Sequence, residues 1–156
     1  MTLQADGPRC NCGNYGCWEA LAAGPAIGRE GAAAVREERS PLLAQLCQGR
    51  PEQVDARMVG EAARRGDVAA GEIIKRAARY CGVGMVNLLH LYSPEIILVG
   101  GGVAKLGDLL FGPMRRIVRE QAMAAYRNVP IEPASLGEDM GLLGAVALFR
   151  LEEAGG

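Results

Sequence analysis

The chain has few aromatic residues, a single histidine and no long apolar run. Its 156 residues include one tryptophan, four tyrosines and two phenylalanines, and the histidine is His90. No apolar run approaches the roughly 18 residues that suggest a membrane span. The formal net charge of −1 gives no electrostatic reason to expect nucleic acid or an anionic membrane as a partner. What is left is an ordinary globular composition, 49% hydrophobic, in a chain long enough to form one domain.

An export signal is also missing from the start of the sequence. Residues 1–6 lack the basic and apolar regions of a signal peptide. The five cysteines are an odd number, and three of them crowd into residues 10–17. This usage favours a reducing compartment over a disulfide framework, so we expect a cytoplasmic protein.

Apolar periodicity and turn residues predict a helix-rich chain. Ser40 followed by Pro41 is typical of an N-cap with proline at the first helical position, and Asp67 is positioned to cap the longest helix. Gly24-Pro25 is expected to stop the first helix. The predicted helices cover Trp18–Ala23, Ala26–Glu38, Pro41–Cys47, Asp55–Arg65, Asp67–Leu91, Leu106–Ala125 and a closing helix over 141–154.

Two strands are predicted in the second half of the chain. Glu95–Val99 is short, β-branched and apolar, which is typical of a strand buried on both faces. Val129–Pro133 is a weaker strand, and its prolines indicate a sheet edge. The order of elements therefore predicts an α/β protein with few strands for a complete sheet.

Cys10, Cys12 and Cys17 form the pattern Cys-x-Cys-Gly-x-x-Gly-Cys. A Cys-x-Cys step places two sulfurs near one point, the glycines let the backbone wrap around it, and zinc stabilises such thiolates. The alternative is three ordinary thiols in a loop. A structural zinc site needs a fourth ligand, for which His90 is the one histidine available, although a packing or surface role suits His90 better.

Two further motifs have both a functional and a structural interpretation. Glu19 follows Cys17 by two residues, where its carboxylate either complements a helix dipole or reaches into a pocket beside the cysteines. Gly100-Gly101-Gly102 follows the predicted strand, where glycines let a nucleotide or phosphate approach the backbone. Glycine turns after strands are also common without a ligand, and this one matches neither GxGxxG nor the P-loop. Cys47 and Cys81 lie on helical faces and are predicted to be core or semi-buried residues.

Three segments together resemble the ROK family of repressors and sugar kinases. The segment from Asp6 to Glu19 is similar to the family's cysteine signature. The segment Ser93–Val103 resembles its adenosine-side motif, and Gly141-Leu-Leu-Gly-Ala-Val-Ala147 resembles its last helix. The three occur in the family's order and cover nearly the whole chain.

The resemblance implies an actin-like, ribonuclease-H-like ATPase fold with a zinc knuckle. By position, Cys10, Cys12 and Cys17 would be ligands of a structural zinc, Glu19 would hydrogen-bond the sugar, and Gly100, Gly101 and Gly102 would line the nucleotide side. Family kinases transfer the γ-phosphate of ATP, with Mg²⁺, to a hexose hydroxyl. The resemblance also implies a homo-oligomer whose partners are a hexose and ATP.

The chain also departs from the family pattern. It contains neither the phosphate-binding Asp-x-Gly-Gly-Thr loop, nor the Asn-Asp pair with the catalytic Asp, nor the Glu-x-Gly-His step that supplies the fourth zinc ligand. In the family that histidine falls just before the position of Met1. We therefore expect residues 1–156 to be the C-terminal large domain, without the N-terminal ATPase domain and with no catalytic residue. Such a chain, whether a fragment or the product of a misplaced start, is expected to be inactive alone.

Three functions are consistent with this resemblance. The first is a glucokinase-like hexose kinase of which this is the C-terminal half. The second is a sugar-responsive ROK transcriptional repressor lacking its N-terminal DNA-binding domain, and the third is a degenerate fragment with only a structural role. The glycine motif favours the kinase, because a repressor needs no ATP.

Overall fold

Helices make up most of the structure, a computed structural model that describes residues 1–135, Gly144 and Val146. Short 3₁₀ turns cover Pro51–Gln53, Gly102–Leu106 and Ala124–Tyr126. No helix in the described residues has the length and apolar character needed to cross a membrane. The elements are α1 (Trp18–Ala22), α2 (Gly24–Arg36), α3 (Pro41–Leu46), α4 (Ala56–Arg64), α5 (Val68–Tyr92), β1 (Ile97–Val99), α6 (Asp108–Gln121) and β2 (Ile131–Pro133).

Glycine and proline set two helix boundaries differently from the prediction. Gly24-Pro25 was expected to stop a helix, but it forms the first turn of α2, where proline is tolerated because its missing N–H has no partner there. Helix α6 begins at Asp108 because Gly107 has φ +59, a left-handed conformation that separates it from the preceding 3₁₀ turn. The predicted closing helix over 141–154 lies outside the described residues, apart from Gly144 and Val146, which are both helical.

Helix α5 is the centre of the core, and glycines bring its neighbours close. A Cβ on Gly82 would lie 2.7 Å from Ile117 Cβ of α6, and one on Gly84 would lie 2.7 Å from the Trp18 ring of α1. Each of the larger buried apolar side chains of α5 stabilises the fold by about 1.5–3 kcal/mol. Cys47 and Cys81 are buried, which agrees with the prediction that they are core or semi-buried residues.

Ser40 and Asp67 join the starts of two helices. Asp67 caps α5, as predicted, because its Oδ1 accepts a hydrogen bond of 2.9 Å from the Ala70 N–H. Ser40 precedes α3, but the expected cap bond is not formed. The buried Ser40 hydroxyl instead donates to Asp67 Oδ2 at 2.7 Å. The Asp67 carboxylate thus accepts hydrogen bonds from both a backbone N–H and a buried hydroxyl.

Strands β1 and β2 form a parallel pair connected through α6. Ile97 is paired with Ile131, and Val99 with Pro133. The prediction that this first strand is buried on both faces is wrong. Ile97 and Val99 contact the core, whereas Leu98 is 61% exposed, because successive side chains of a strand point to opposite faces and the described elements cover only one face. The carboxyl end of β1 leads into Gly100–Gly102.

Candidate functional site

Backbone hydrogen bonds fold residues 1–17 into a small loop that we call the knuckle. Thr2 pairs with Cys17 and Arg9 with Tyr15 in isolated antiparallel bridges. Inside the loop, the Cys10 N–H donates to Asn14 O at 2.7 Å. The knuckle thus brings its cysteines together without a large apolar core of its own.

Two glycines allow the knuckle to close. Gly16 has φ +61, and a Cβ there would lie 1.5 Å from Gln4 O. A Cβ on Gly7 would lie 2.5 Å from the Gly16 Cα. Any larger residue at these positions has to push the two backbone segments apart, which explains the glycines around the cysteines.

The structure brings the three predicted cysteine ligands together. The Sγ atoms of Cys10, Cys12 and Cys17 all lie within 4.8 Å of one another, and Cys12 Sγ is 3.6 Å from Cys17 Sγ. Thiolates about 2.3 Å from a tetrahedral zinc ion lie about 3.8 Å apart. The donor atoms and their spacing therefore fit a zinc ion.

The thiols of Cys12 and Cys17 differ in acidity. The pKa of Cys12 is lowered, first by a backbone hydrogen bond at Asn14 and then by the side chains of Cys17 and Cys10. The hydrogen bond to Cys12 raises the pKa of Cys17 to about 11, and burial adds to this. Cys17 therefore holds its proton more tightly than Cys12 does, and a bound metal would have to replace that proton.

His90 lies outside the cysteine cluster. Its Nε2 accepts a hydrogen bond of 3.1 Å from the Met123 N–H, and its ring centroid is 5.8 Å from that of Tyr126. His90 thus joins the end of α5 to the segment after α6. Of the packing or surface role favoured by the sequence, the structure shows packing, and within the described residues the cysteine cluster has three thiols.

Glu19 lies in the first turn of α1, directly after the knuckle. Glu19 is exposed and lines a small cleft of about 20 Å³, which we call the Glu19 cleft. This position is compatible with both interpretations of Glu19. At a helix start its carboxylate can complement the helix dipole, and beside the cysteines it can reach into the cleft. The other lining residues are Arg9, Cys10, Asn11, Ala20, Ala23, Pro25 and Arg29.

The predicted glycine turn borders a second and larger cleft. Gly101 has φ +84, which requires glycine, whereas a Cβ on Gly102 would meet no atom within 4 Å. Gly102 lines this Gly102 cleft, and Gly100 and Gly101 are exposed on the turn just before it. The opposite walls come from α2 and from residues 51–57.

The α2 wall is the part of the site that sequence reasoning missed. A Cβ on Gly28 would lie 2.9 Å from Val54 O, so α2 and the 51–57 segment are in close contact at the floor of the Gly102 cleft. Gly24 and Gly28, spaced four apart, were the available signal for such a close approach. Arg29 follows Gly28 and lines both clefts.

Comparisons with known proteins agree with the sequence motifs. The model of the ROK family matches residues 1–152. The glucokinase of Thermotoga maritima is 35% identical over 157 residues, covering 100% of this chain and 49% of that protein. The DNA-binding transcriptional repressor Mlc of Escherichia coli is 31% identical, covering 92% of this chain and 34% of the repressor.

A solved structure matches the fold. The crystal structure of a ROK family glucokinase from Streptomyces griseus, in complex with glucose and AMPPNP, superposes with a TM-score of 0.83 at 32% identity, over 95% of this chain and 49% of that one. The chain thus has the α/β, actin-like ATPase fold of these sugar kinases, and it spans about half the length of the curated glucokinases it matches.

Proposed function

The chain belongs to the ROK family, and on that premise we propose that it is the C-terminal half of an ATP-dependent hexose kinase of the glucokinase type. The observation that carries the proposal is the Gly102 cleft at the carboxyl end of a parallel strand, which is where ligands bind in open α/β sheets. The matching glucokinase from Streptomyces griseus was solved with glucose and a nucleotide analogue, which supports the same ligand classes for this chain.

In this proposal Gly100, Gly101 and Gly102 line the nucleotide side. Glycine leaves the backbone N–H groups accessible to a nucleotide, and the space beside Gly102 is free of neighbouring atoms. The nucleotide would be ATP, bound with Mg²⁺ in the full-length protein. Phosphoryl transfer depends mainly on positioning and charge neutralisation, so a turn at this point would contribute by orienting the nucleotide.

Glu19 is the residue proposed to bind the hexose. Its exposed carboxylate accepts hydrogen bonds, and sugar hydroxyls donate them. Its position is set by the knuckle, because the Trp18 N–H donates to Met1 O at 2.9 Å and Cys17 directly precedes α1. A small movement of the knuckle would therefore displace Glu19 relative to the sugar.

Cys10, Cys12 and Cys17 are proposed to hold a structural zinc ion. Zinc would neutralise the thiolates and make the loop before Glu19 rigid, as structural zinc does in other small domains that lack a large core. The three thiolates leave one of the four positions of a structural site for a further ligand. The thiols must lose their protons to bind the metal, which suits a reducing cytoplasm.

A binding experiment on the 156-residue chain tests the proposal. The chain is loaded with zinc and titrated with MgATP by calorimetry. Gly102→Val is the matched variant, because Gly102 lines the cleft and a Cβ there would meet no atom within 4 Å. We expect the wild type to bind MgATP and the variant not to bind it. The unfolding temperature of the variant should equal that of the wild type. Failure of the wild type to bind MgATP would count against the nucleotide site.

The repressor is the second candidate, because Mlc of Escherichia coli is 31% identical over 92% of this chain. A repressor would keep the Glu19 cleft for a sugar but would not need ATP. Binding of a hexose without any binding of MgATP would favour the repressor over the kinase.

A further inference from the structure

Pro25 and Arg29 are the two described residues that line both the Glu19 cleft and the Gly102 cleft. Only Arg29 of this pair is charged. Arg29 is therefore the charged residue at the place where the two clefts share their lining.

The packing of α2 directs Arg29 to this junction. Gly28 and Gly31 press one face of α2 against Val54 and Val59, with Cβ positions only 2.9 Å from Val54 O and 2.5 Å from Val59 Cγ2. Arg29 is exposed on another side of the helix. Its Nη2 donates to Ala20 O at 3.3 Å, which brings the guanidinium to the residue that follows Glu19.

The Gly102 cleft has an excess of basic side chains. Arg29, Arg36, Arg57 and Lys105 line it, against Glu52 and Asp55. Asp55 and Arg57 offset each other, since Asp55 Oδ2 lies 3.9 Å from Arg57 Nε, and the rest of the lining still has more basic than acidic side chains. A cleft of this charge attracts an anionic ligand, and arginine suits phosphate because its planar fork of N–H donors binds two oxygens at once.

We propose that Arg29 binds the phosphate chain of the nucleotide and fixes the direction in which it lies. The phosphates would occupy the end of the Gly102 cleft that meets the Glu19 cleft, with the base toward Arg36. Arg36 is seven residues further along α2, about 10 Å away by helical rise. This inference rests on the proposed nucleotide site and goes beyond it by assigning the phosphate end of the ligand.

The test compares ATP with adenosine on the zinc-loaded 156-residue chain. Arg29→Gln removes the charge but keeps an N–H donor for Ala20 O, and Arg36→Ala is the matched control at the other end of the same cleft. Both ligands are titrated by calorimetry, with ATP as its Mg²⁺ complex. We expect Arg29→Gln to bind ATP about tenfold more weakly, the size of one charge-assisted hydrogen bond, with adenosine affinity unchanged.

Each other outcome overturns the inference in a recognisable way. An equal loss for ATP and adenosine in Arg29→Gln would mean a structural role. A selective loss of ATP in Arg36→Ala, with none in Arg29→Gln, would mean that the nucleotide lies in the opposite direction. Unchanged ATP binding in Arg29→Gln would show that Arg29 does not bind the phosphates, while the proposed nucleotide site would stand. If the wild type binds neither ligand, the proposed function of the cleft fails as well.

Discussion

At the scale of single residues, the five cysteines differ in their access to solvent. Cys12 is exposed, whereas Cys10, Cys17, Cys47 and Cys81 are buried. We predict that iodoacetamide modifies Cys12 first in the metal-free chain and that zinc slows this reaction. Peptide mass spectrometry after timed quenching measures both rates. Cys47 serves as the control, because its slow reaction should not respond to zinc, and equal rates for Cys12 and Cys47 would contradict the structure.

Gly16 and Gly13 form a matched pair for testing the knuckle. Both have positive φ, but a Cβ on Gly16 would collide with Gln4 O, whereas one on Gly13 would meet nothing within 4 Å. We predict that Gly13→Ala costs about 1 kcal/mol of conformational strain, and that Gly16→Ala costs clearly more and weakens zinc binding. Urea unfolding and competition with a zinc-binding dye measure the two effects. Similar losses of stability in both variants would show that the backbone shifts to relieve the collision between residue 16 and Gln4 O.

The sequence predicted some of these residue positions and not others. The spacing of Cys10, Cys12 and Cys17 is a local pattern, so their convergence was predictable. Glu19 follows that pattern by two residues and inherits its position. Arg29 was not predicted, because a single arginine on a helix surface gives no signal until packing shows which clefts it borders.

At the scale of elements, Asp67 does more than an ordinary N-cap. Asp55 caps α4 through the Met58 N–H, and Asp67 caps α5 while also accepting from the buried Ser40 hydroxyl. Losing a cap costs about 1 kcal/mol, and leaving a buried hydroxyl without its partner costs about 1–3 kcal/mol more. We predict that Asp67→Ala lowers the free energy of unfolding by more than Asp55→Ala does.

The measurement is urea unfolding of both variants and of Ser40→Ala alone and combined with Asp67→Ala. We expect the double variant to lose less free energy of unfolding than the sum of the two single losses, because Ser40 and Asp67 interact. Identical losses for Asp55→Ala and Asp67→Ala would indicate that the Ser40 bond contributes nothing.

Glycines in α5 also divide into those that contact a neighbour and those that do not. Gly84 meets the Trp18 ring at 2.7 Å from its Cβ position, whereas Gly71 has no atom within 4 Å. We predict that Gly71→Ala stabilises the chain by about 0.5–1 kcal/mol, because alanine has the higher helix propensity. Gly84→Ala should destabilise it and shift Trp18 fluorescence. A stabilising Gly84→Ala would refute the close contact of α1 with α5.

Elements were predictable where the signal is local. The apolar periodicity and the Asp67 cap located α5 to within a residue at each end. The burial of β1 was not predictable, because the apolar Ile97, Leu98 and Val99 look alike in sequence, and only the elements packed around the strand decide which faces are covered. Ser40 shows the same limit, since its partner is 27 residues away.

At the scale of the whole molecule, length limits the activity that we expect. The chain covers 49% of the glucokinase of Thermotoga maritima. Because phosphoryl transfer needs both substrates positioned and their charge neutralised, we predict no glucose-dependent ADP release from the 156-residue chain, even where MgATP binds. A coupled ADP assay with zinc-loaded protein measures this. Turnover that depends on glucose would show that these residues suffice for catalysis.

The overall fold was recognisable from the order of three motifs, but the Gly102 cleft was not. Its walls come from α2, from residues 51–57 and from the turn after β1, which lie far apart in sequence. Each wall is ordinary by itself. Gly28 lets α2 approach Val54 closely at the floor of the cleft, and this approach is a property of tertiary packing.

The ties between the knuckle and α5 have a consequence for the order of folding. The Tyr80 hydroxyl donates to Gln4 Oε1 at 2.7 Å across 76 positions, and Asn87 Nδ2 reaches Met1 Sδ at 3.7 Å across 86. Closing such long loops has a high entropic cost, so we expect these contacts to form late in folding. During synthesis the cysteines leave the ribosome long before α5 exists. Capture of the proposed zinc ion by the free loop would therefore precede its docking, and the rate of that docking sets when Glu19 reaches its final place.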